Sequence, residues 1–205
     1  MIYRIAALFT ILLALYVGYM GYAAYQAHAA KKAIFEGPTD QTFGPENADL
    51  TVVKFMDYAC EHCREVHPAL MKALEEDGHV KLIVRPLPSA SSDGSQSARI
   101  VYTAATLGKF RETHDYLMEH FGPVDQSFVD NLAAAIDSTP EALEEAYANE
   151  ETGNAVWENK RLFDALGGRV TPTFFIGPDT IFIPYEGMPT ADNFKTMFNE
   201  ARKGL

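Results

Sequence analysis

The sequence predicts an α/β fold: a parallel β-α-β unit, a long helical insertion and a closing β-β-α segment, preceded by an N-terminal hydrophobic helix. Three observations predict it. Thr51-Val52-Val53-Lys54-Phe55-Met56 and Val80-Lys81-Leu82-Ile83-Val84-Arg85 are short β-branched runs that flank a stretch with helical periodicity. Helical patterning then continues from about Ser92 to Leu166. Two more apolar runs, Thr173-Phe174-Phe175-Ile176 and Ile181-Phe182-Ile183, follow before a last amphipathic segment. A strand, helix and strand at this spacing imply a parallel pair joined by a right-handed crossover.

Residues 1–29 read as a signal-anchor or signal peptide. From Ile5 to Tyr25 there is no charged residue, and Leu8, Phe9, Ile11, Leu12, Leu13, Leu15, Tyr16 and Val17 make the run strongly apolar. A signal-peptide core needs about 7–15 apolar residues and a spanning helix about 20, so the length favours a retained anchor. Ala27-His28-Ala29 keeps cleavage before Ala30 open as the alternative. Arg4 lies on one flank and Lys31 and Lys32 on the other, so the positive-inside rule assigns no orientation. A soluble domain behind such a segment is expected in a periplasmic or other extracytoplasmic space.

Residues 30–50, with Gly37-Pro38, Gly44-Pro45 and Asn47, read as linker and domain entry, and 51–205 as the folded domain. After the first strand, Cys63, Val66, Ala69, Leu70, Ala73 and Leu74 recur at threes and fours until Glu75-Glu76-Asp77-Gly78 stops the helix. Pro68 is expected to kink it, and Pro86 and Pro88 to end the second strand. In the insertion, about 92–166, Ala98, Val101, Tyr102 and Ala105 form one stripe and Phe110, Leu117, Met118 and Phe121 another. Thr139-Pro140 reads as a helix start and Gly167-Gly168 as a helix end. Gly177-Pro178-Asp179 reads as a hairpin-like turn, and Phe194, Met197, Phe198 and Ala201 as the closing helix.

The balance of 17 basic to 28 acidic residues, net −11, repels phosphate backbones and excludes nucleic-acid binding. Asp57, Glu61 and Glu65 read as solvated carboxylates, without a partner arrangement that would make a hydrolase.

Both cysteines, Cys60 and Cys63, stand three positions apart just beyond the first strand. Random placement gives that spacing in roughly 1 % of cases, so paired function is the better reading. A redox dithiol, half of a metal site and a structural disulfide compete. The last is weak, because closing so short a loop removes little unfolded-chain entropy. Cys60, Cys63 and His67 have a spacing that suits zinc or cuprous copper, but no motif offers a fourth ligand, so no metal is assigned. His28, His79, His114 and His120 look like scattered surface or core histidines. A non-catalytic redox sensor is a further alternative.

Phe55-x-Asp57-Tyr58-x-Cys60-x-x-Cys63 and Thr171-Pro172-Thr173-Phe174-Phe175-Ile176-Gly177, with a helical insertion between them, resemble the DsbA family of exported thiol-disulfide oxidoreductases from about Phe43 onward. The resemblance implies a thioredoxin-like fold and a redox-active Cys60-Cys63 disulfide in place of any cofactor. It also implies cysteine-containing protein substrates and reoxidation by a quinone-coupled membrane partner. Pro172 would then be a cis-proline lying against the dithiol, and Thr171 would lend backbone groups to a bound substrate strand.

Chemistry assigns the remaining roles. A free thiol with pKa near 8.5 is a poor nucleophile at neutral pH, so Cys60, at a helix N-terminus, is expected to be the ionised attacking sulfur. Cys63 is then the buried resolving thiol. His62, when protonated, would stabilise the thiolate, while Glu61 opposes it. Lys54 stands where the thioredoxin-like proteins often carry a buried acid, and reads as a solvated strand-end lysine in preference to a buried base. Tyr58, Phe174 and Tyr185 are candidates for an exposed aromatic peptide platform, with core packing the alternative for Phe174. Oxidase is the favoured direction, reductase or isomerase the alternative.

Overall fold

A computed structural model describes residues 2–36, 41–177, 180–183 and 188–204. Gly37-Pro38, Pro178-Asp179 and Tyr185 lie outside the described residues. The elements are α1 (Ile2–Ile34), β1 (Thr42–Phe43), β2 (Leu50–Met56), α2 (Glu61–Glu65), α3 (His67–Asp77) and β3 (Val80–Pro86). The insertion follows as α4 (Ser92–Ala105), α5 (Phe110–Glu119), α6 (Gln126–Ala135), α7 (Pro140–Tyr147) and α8 (Glu150–Ala165). The chain closes with β4 (Thr173–Ile176), β5 (Thr180–Phe182) and α9 (Ala191–Arg202).

The five strands lie in the order β1-β3-β2-β4-β5. β2 is central. It runs parallel to β3, from Leu50↔Val80 to Met56↔Pro86, and antiparallel to β4, from Val52↔Ile176 to Phe55↔Thr173. All of β2 except Thr51 is buried, as a strand covered on both faces requires. Alternation sends Val52 and Met56 to the layer that holds Leu70 of α3 and Phe194 and Phe198 of α9. Val53 and Phe55 face the opposite layer, with Phe163 of α8 and Ala30 and Ile34 of α1. The helical insertion between the parallel pair and the hairpin is as expected from the sequence.

The stretch expected to be linker is partly core. α1 runs past the uncharged segment to Ile34, which is fully buried, and Thr42–Phe43 add an edge strand antiparallel to β3. From Ala7 to Tyr22 the helix is exposed, and from Ala23 onward one side becomes covered. By length and composition it is able to cross a membrane. Arg85 of β3 ties its end down: Nη2 donates to the carbonyls of Ala33 (3.0 Å), Ile34 (3.0 Å) and Glu36 (2.7 Å), and Nη1 to Asn159 Oδ1 (3.3 Å). The Ala33 and Ile34 carbonyls belong to the last turn of α1, where helical acceptors lack an intrahelical partner, and Glu36 lies just beyond it.

Pro68 breaks the helix that carries Cys63. It has no N–H to donate back to Arg64, so α2 ends at Glu65 and α3 restarts at His67. A charge-assisted hydrogen bond contributes about 1.5–3 kcal/mol. Arg85→Ala is therefore expected to lower unfolding free energy by about 2 kcal/mol in denaturant titration of the full chain in detergent. Amide exchange near Ala33–Glu36 should rise with it, and an unchanged midpoint would show that this clamp holds nothing.

Candidate active site

β2 delivers the chain to the dithiol through a tight turn. Asp57 Oδ1 accepts from Ala59 N–H (2.8 Å), and Cys60 N–H donates to Asp57 O (3.1 Å). These bonds set Cys60 in extended conformation as the N-cap of α2. Leu87 N–H donates to Met56 O (2.7 Å), which prolongs the parallel pairing to the turn. Arg64 Nη1 donates to Tyr58 O (2.6 Å) while its guanidinium lies 4.9 Å from the centre of the Phe121 ring. Behind the turn, a Cβ on Gly94 would come within 2.9 Å of Ala59 Cβ, so the first turn of α4 packs directly on this loop.

The two sulfurs differ in surroundings. Cys60 is half-buried and Cys63 fully buried, both as free thiols. The Cys60 thiol donates to Thr171 O at 3.5 Å, and the Thr171–Pro172 peptide is cis. The Cys60 pKa is lowered to about 5. A hydrogen bond from the Cys63 side chain is the main cause, opposed by desolvation and helped by the Thr171 side chain and the Cys63 backbone. Burial, with that same hydrogen bond, pushes the Cys63 thiol far above its ordinary range. The two thiols are thus unequal, Cys60 favouring the thiolate and Cys63 the protonated form.

Beneath them lies a buried polar group. Lys54 is fully buried, and its Nζ donates to Cys63 O at 3.1 Å. Tyr58 is also fully buried, its hydroxyl hydrogen-bonded to His114 Nδ1 (2.8 Å). The His114 ring lies edge-on to that of His67, 5.1 Å between centres. Desolvation lowers His67 to about 3 and drives His114 down as well, so both are neutral. His67 Nε2 lies 3.8 Å from Asp115. The converging ligand-type group among the described residues is therefore His67, His114 and Asp115, which leaves the cysteines out.

Several expectations are corrected. Lys54 is not solvated: it alternates with Val52 and Met56 on a core face, and that pattern was the signal available to find it. Tyr58 and Phe174 are core residues with no exposed surface, so they offer no platform. His114, which the sequence left open between surface and core, occupies the Phe110-Leu117 stripe of α5 and is core. His62 is exposed, with Nδ1 3.2 Å from Glu65 Oε2, and makes no hydrogen bond to Cys60 among the described residues. Its expected tuning of Cys60 has no direct contact behind it. Glu61 is exposed, as expected.

A central strand ending in Cys-x-x-Cys, with a cis-proline loop against the first sulfur, defines a thioredoxin-fold dithiol protein. The family model described as thioredoxin matches residues 36–199, and the chain belongs to that family. A thioredoxin-like oxidoreductase from Silicibacter pomeroyi DSS-3 is similar at 25% identity and TM-score 0.74, over 84% of this chain and 97% of that one. A periplasmic thioredoxin-like protein from Salmonella enterica serovar Typhimurium shares 25% identity at TM-score 0.70, over 86% and 96%. The thiol-disulfide exchange protein alpha-DsbA2 from Wolbachia pipientis shares 20% identity at TM-score 0.74, over 88% and 96%, and this likeness shows a DsbA-like fold. Among curated proteins, the chain is 26% identical over 148 residues to a Na(+)/H(+) antiporter of Salinispora tropica. That match spans 71% of this chain and 23% of the antiporter, so the antiporter's activity does not come with it.

Sulfur absorbance of the reduced protein near 240 nm should titrate with a midpoint near 5 for Cys60 and show no second thiolate below about pH 9. A single midpoint at the free-cysteine value would remove the asymmetry on which this site rests.

Proposed function

We propose that the chain is an exported, membrane-anchored thiol-disulfide oxidoreductase that exchanges disulfides with protein cysteines through Cys60 and Cys63, working as an oxidase. The observation that carries this reading is the half-exposed Cys60, with pKa lowered to about 5, beside a fully buried Cys63. A site that favours the thiolate stabilises the reduced form, which makes the disulfide oxidising.

In the forward reaction a substrate thiolate attacks Cys60 Sγ, the Cys60–Cys63 bond breaks, and its electron pair leaves on Cys63. A second substrate thiol then attacks the substrate sulfur of the mixed disulfide. That step releases the oxidised substrate and leaves Cys60 as thiolate. Thr171 supplies the adjoining backbone, and a shallow pocket lined by Asp57, Leu87, Pro88, Arg169 and Thr171 extends beside it for an approaching chain. Pro172 holds that loop against the dithiol. Reoxidation falls to a membrane redox partner, which the anchoring helix would keep near. The periplasmic description of the Salmonella protein supports an extracytoplasmic site of action.

Cys60→Ser should abolish exchange with a dithiol peptide, whereas Cys63→Ser, mixed with excess disulfide-linked dimer of a single-cysteine peptide, should exchange one peptide thiol out and retain the Cys60–peptide mixed disulfide, visible as a mass adduct without reductant. Equilibrium with glutathione tests the direction: about −120 mV is expected of an oxidase and about −270 mV of a reductase. Release from membranes by carbonate or salt, without detergent, would refute the retained anchor.

A further inference from the structure

β2 carries a lysine into the core beneath the dithiol, and among the described residues no acid accompanies it. Lys54 Nζ donates to Cys63 O and has no exposed surface. The titratable groups that face it are Cys60 and Cys63 beside α2, His67 from α3 and His114 from α5, with Tyr58 bonded to His114. β3 and β4 set Val84 and Phe174 beside it in register. Asp57 acts on Cys60, and Asp115 lies against His67; neither bonds Lys54 among the described residues.

A buried ammonium is costly unless negative charge lies close by. Here the available negative charge is sulfur, and sulfur carries it in one redox state alone. We propose that Lys54 is a redox-linked proton holder, neutral beside the Cys60–Cys63 disulfide and protonated once that disulfide is reduced. The inference rests on the oxidoreductase reading and specifies how its site balances charge.

The step balances. Two electrons and two protons leave a substrate dithiol as its own disulfide forms. The electrons cleave the Cys60–Cys63 bond; one proton ends on Cys63, the other on Lys54. Products are a Cys60 thiolate, a Cys63 thiol and a Lys54 ammonium, so the pocket starts and finishes with no net charge. Without Lys54 the same reduction would take up one proton and leave an uncompensated thiolate. Burial lowers Lys54 to about 8 while Cys63 and Cys60 pull it back up, and joining the sulfurs removes that upward pull. His67 and His114, both neutral, do not compete for the proton.

The test is equilibrium of the full chain, in detergent, with reduced and oxidised glutathione between about pH 6.5 and about pH 7.5, redox state being read by mass after thiol alkylation. Two glutathione thiols release two protons. A protein that takes up both has an exchange constant independent of pH, whereas one that takes up a single proton favours its reduced form about tenfold more per pH unit. Wild type is expected to be flat. Lys54→Met and Lys54→Gln are expected to rise about tenfold per unit; the glutamine retains a donor for Cys63 O, so a purely structural role would leave it like wild type. A tenfold rise in wild type overturns the proposal with no variant needed. Failure to equilibrate with glutathione at any pH would instead overturn the oxidoreductase reading.

Discussion

Two sulfurs three residues apart occupy different solvents, and the site depends on that difference. Cys60 ends an extended turn where backbone and side-chain donors converge and water still reaches. Cys63, fully buried, sits one turn further into the same helix. A symmetric pair would give two equivalent thiols near the free-cysteine value and no preferred point of attack. The asymmetry needs a rigid base, because a helix end that shifted by a turn would exchange the two environments. The base is β2, which is covered on both faces and hydrogen-bonded on both edges up to the turn that carries the dithiol.

Keeping one sulfur dry has consequences for what lies beneath it. Lys54, Tyr58, His67 and His114 are polar or ionisable and largely withdrawn from water, and each of these groups costs stability unless it is partnered. Tyr58 and His114 answer each other, while Lys54 reaches the Cys63 carbonyl. Ring packing among Phe43, Phe110, His67 and His114 seals the cluster. Buried polarity concentrated at one point in an otherwise apolar core is the arrangement expected where protons and electrons move together.

On the opposite face of the sheet, the domain grips the helix that precedes it. Ala30 and Ile34 pack with Phe55, Phe163 and Phe175, and α8, which shares this layer, leads through Gly167 and Gly168 into Val170-Thr171-Pro172. The loop against Cys60 is therefore one short connection away from the helix packed on α1. A leading helix docked this way sets the dithiol in a fixed relation to the segment it follows, which a flexible linker would not.

The α/β order, the helical insertion, the cysteine pair and the apolar leading segment were legible in residues 1–205, because each is written in local periodicity or spacing. The thioredoxin resemblance rested on two short motifs more than a hundred positions apart, and the sheet brings them to 3.5 Å. What the sequence hid are the residues whose type suggests water and whose position denies it. Lys54 lies on a core stripe, yet its residue type argued for the surface, and His114 could be placed on either; no local rule decides between type and stripe. Tyr58 looked like a surface aromatic until the fold supplied His114 from fifty-six positions away. Ala30 and Ile34 likewise read as the start of a linker before α8 and Arg85 closed over them. By itself the sequence determined that a nucleophilic sulfur pair ends a central strand behind a hydrophobic helix. The helix N-terminus already pointed to Cys60 as the sulfur that ionises; how strongly the two sulfurs differ, and what charge lies under them, only the tertiary structure decided, since desolvation and hydrogen bonding depend on segments brought together by packing.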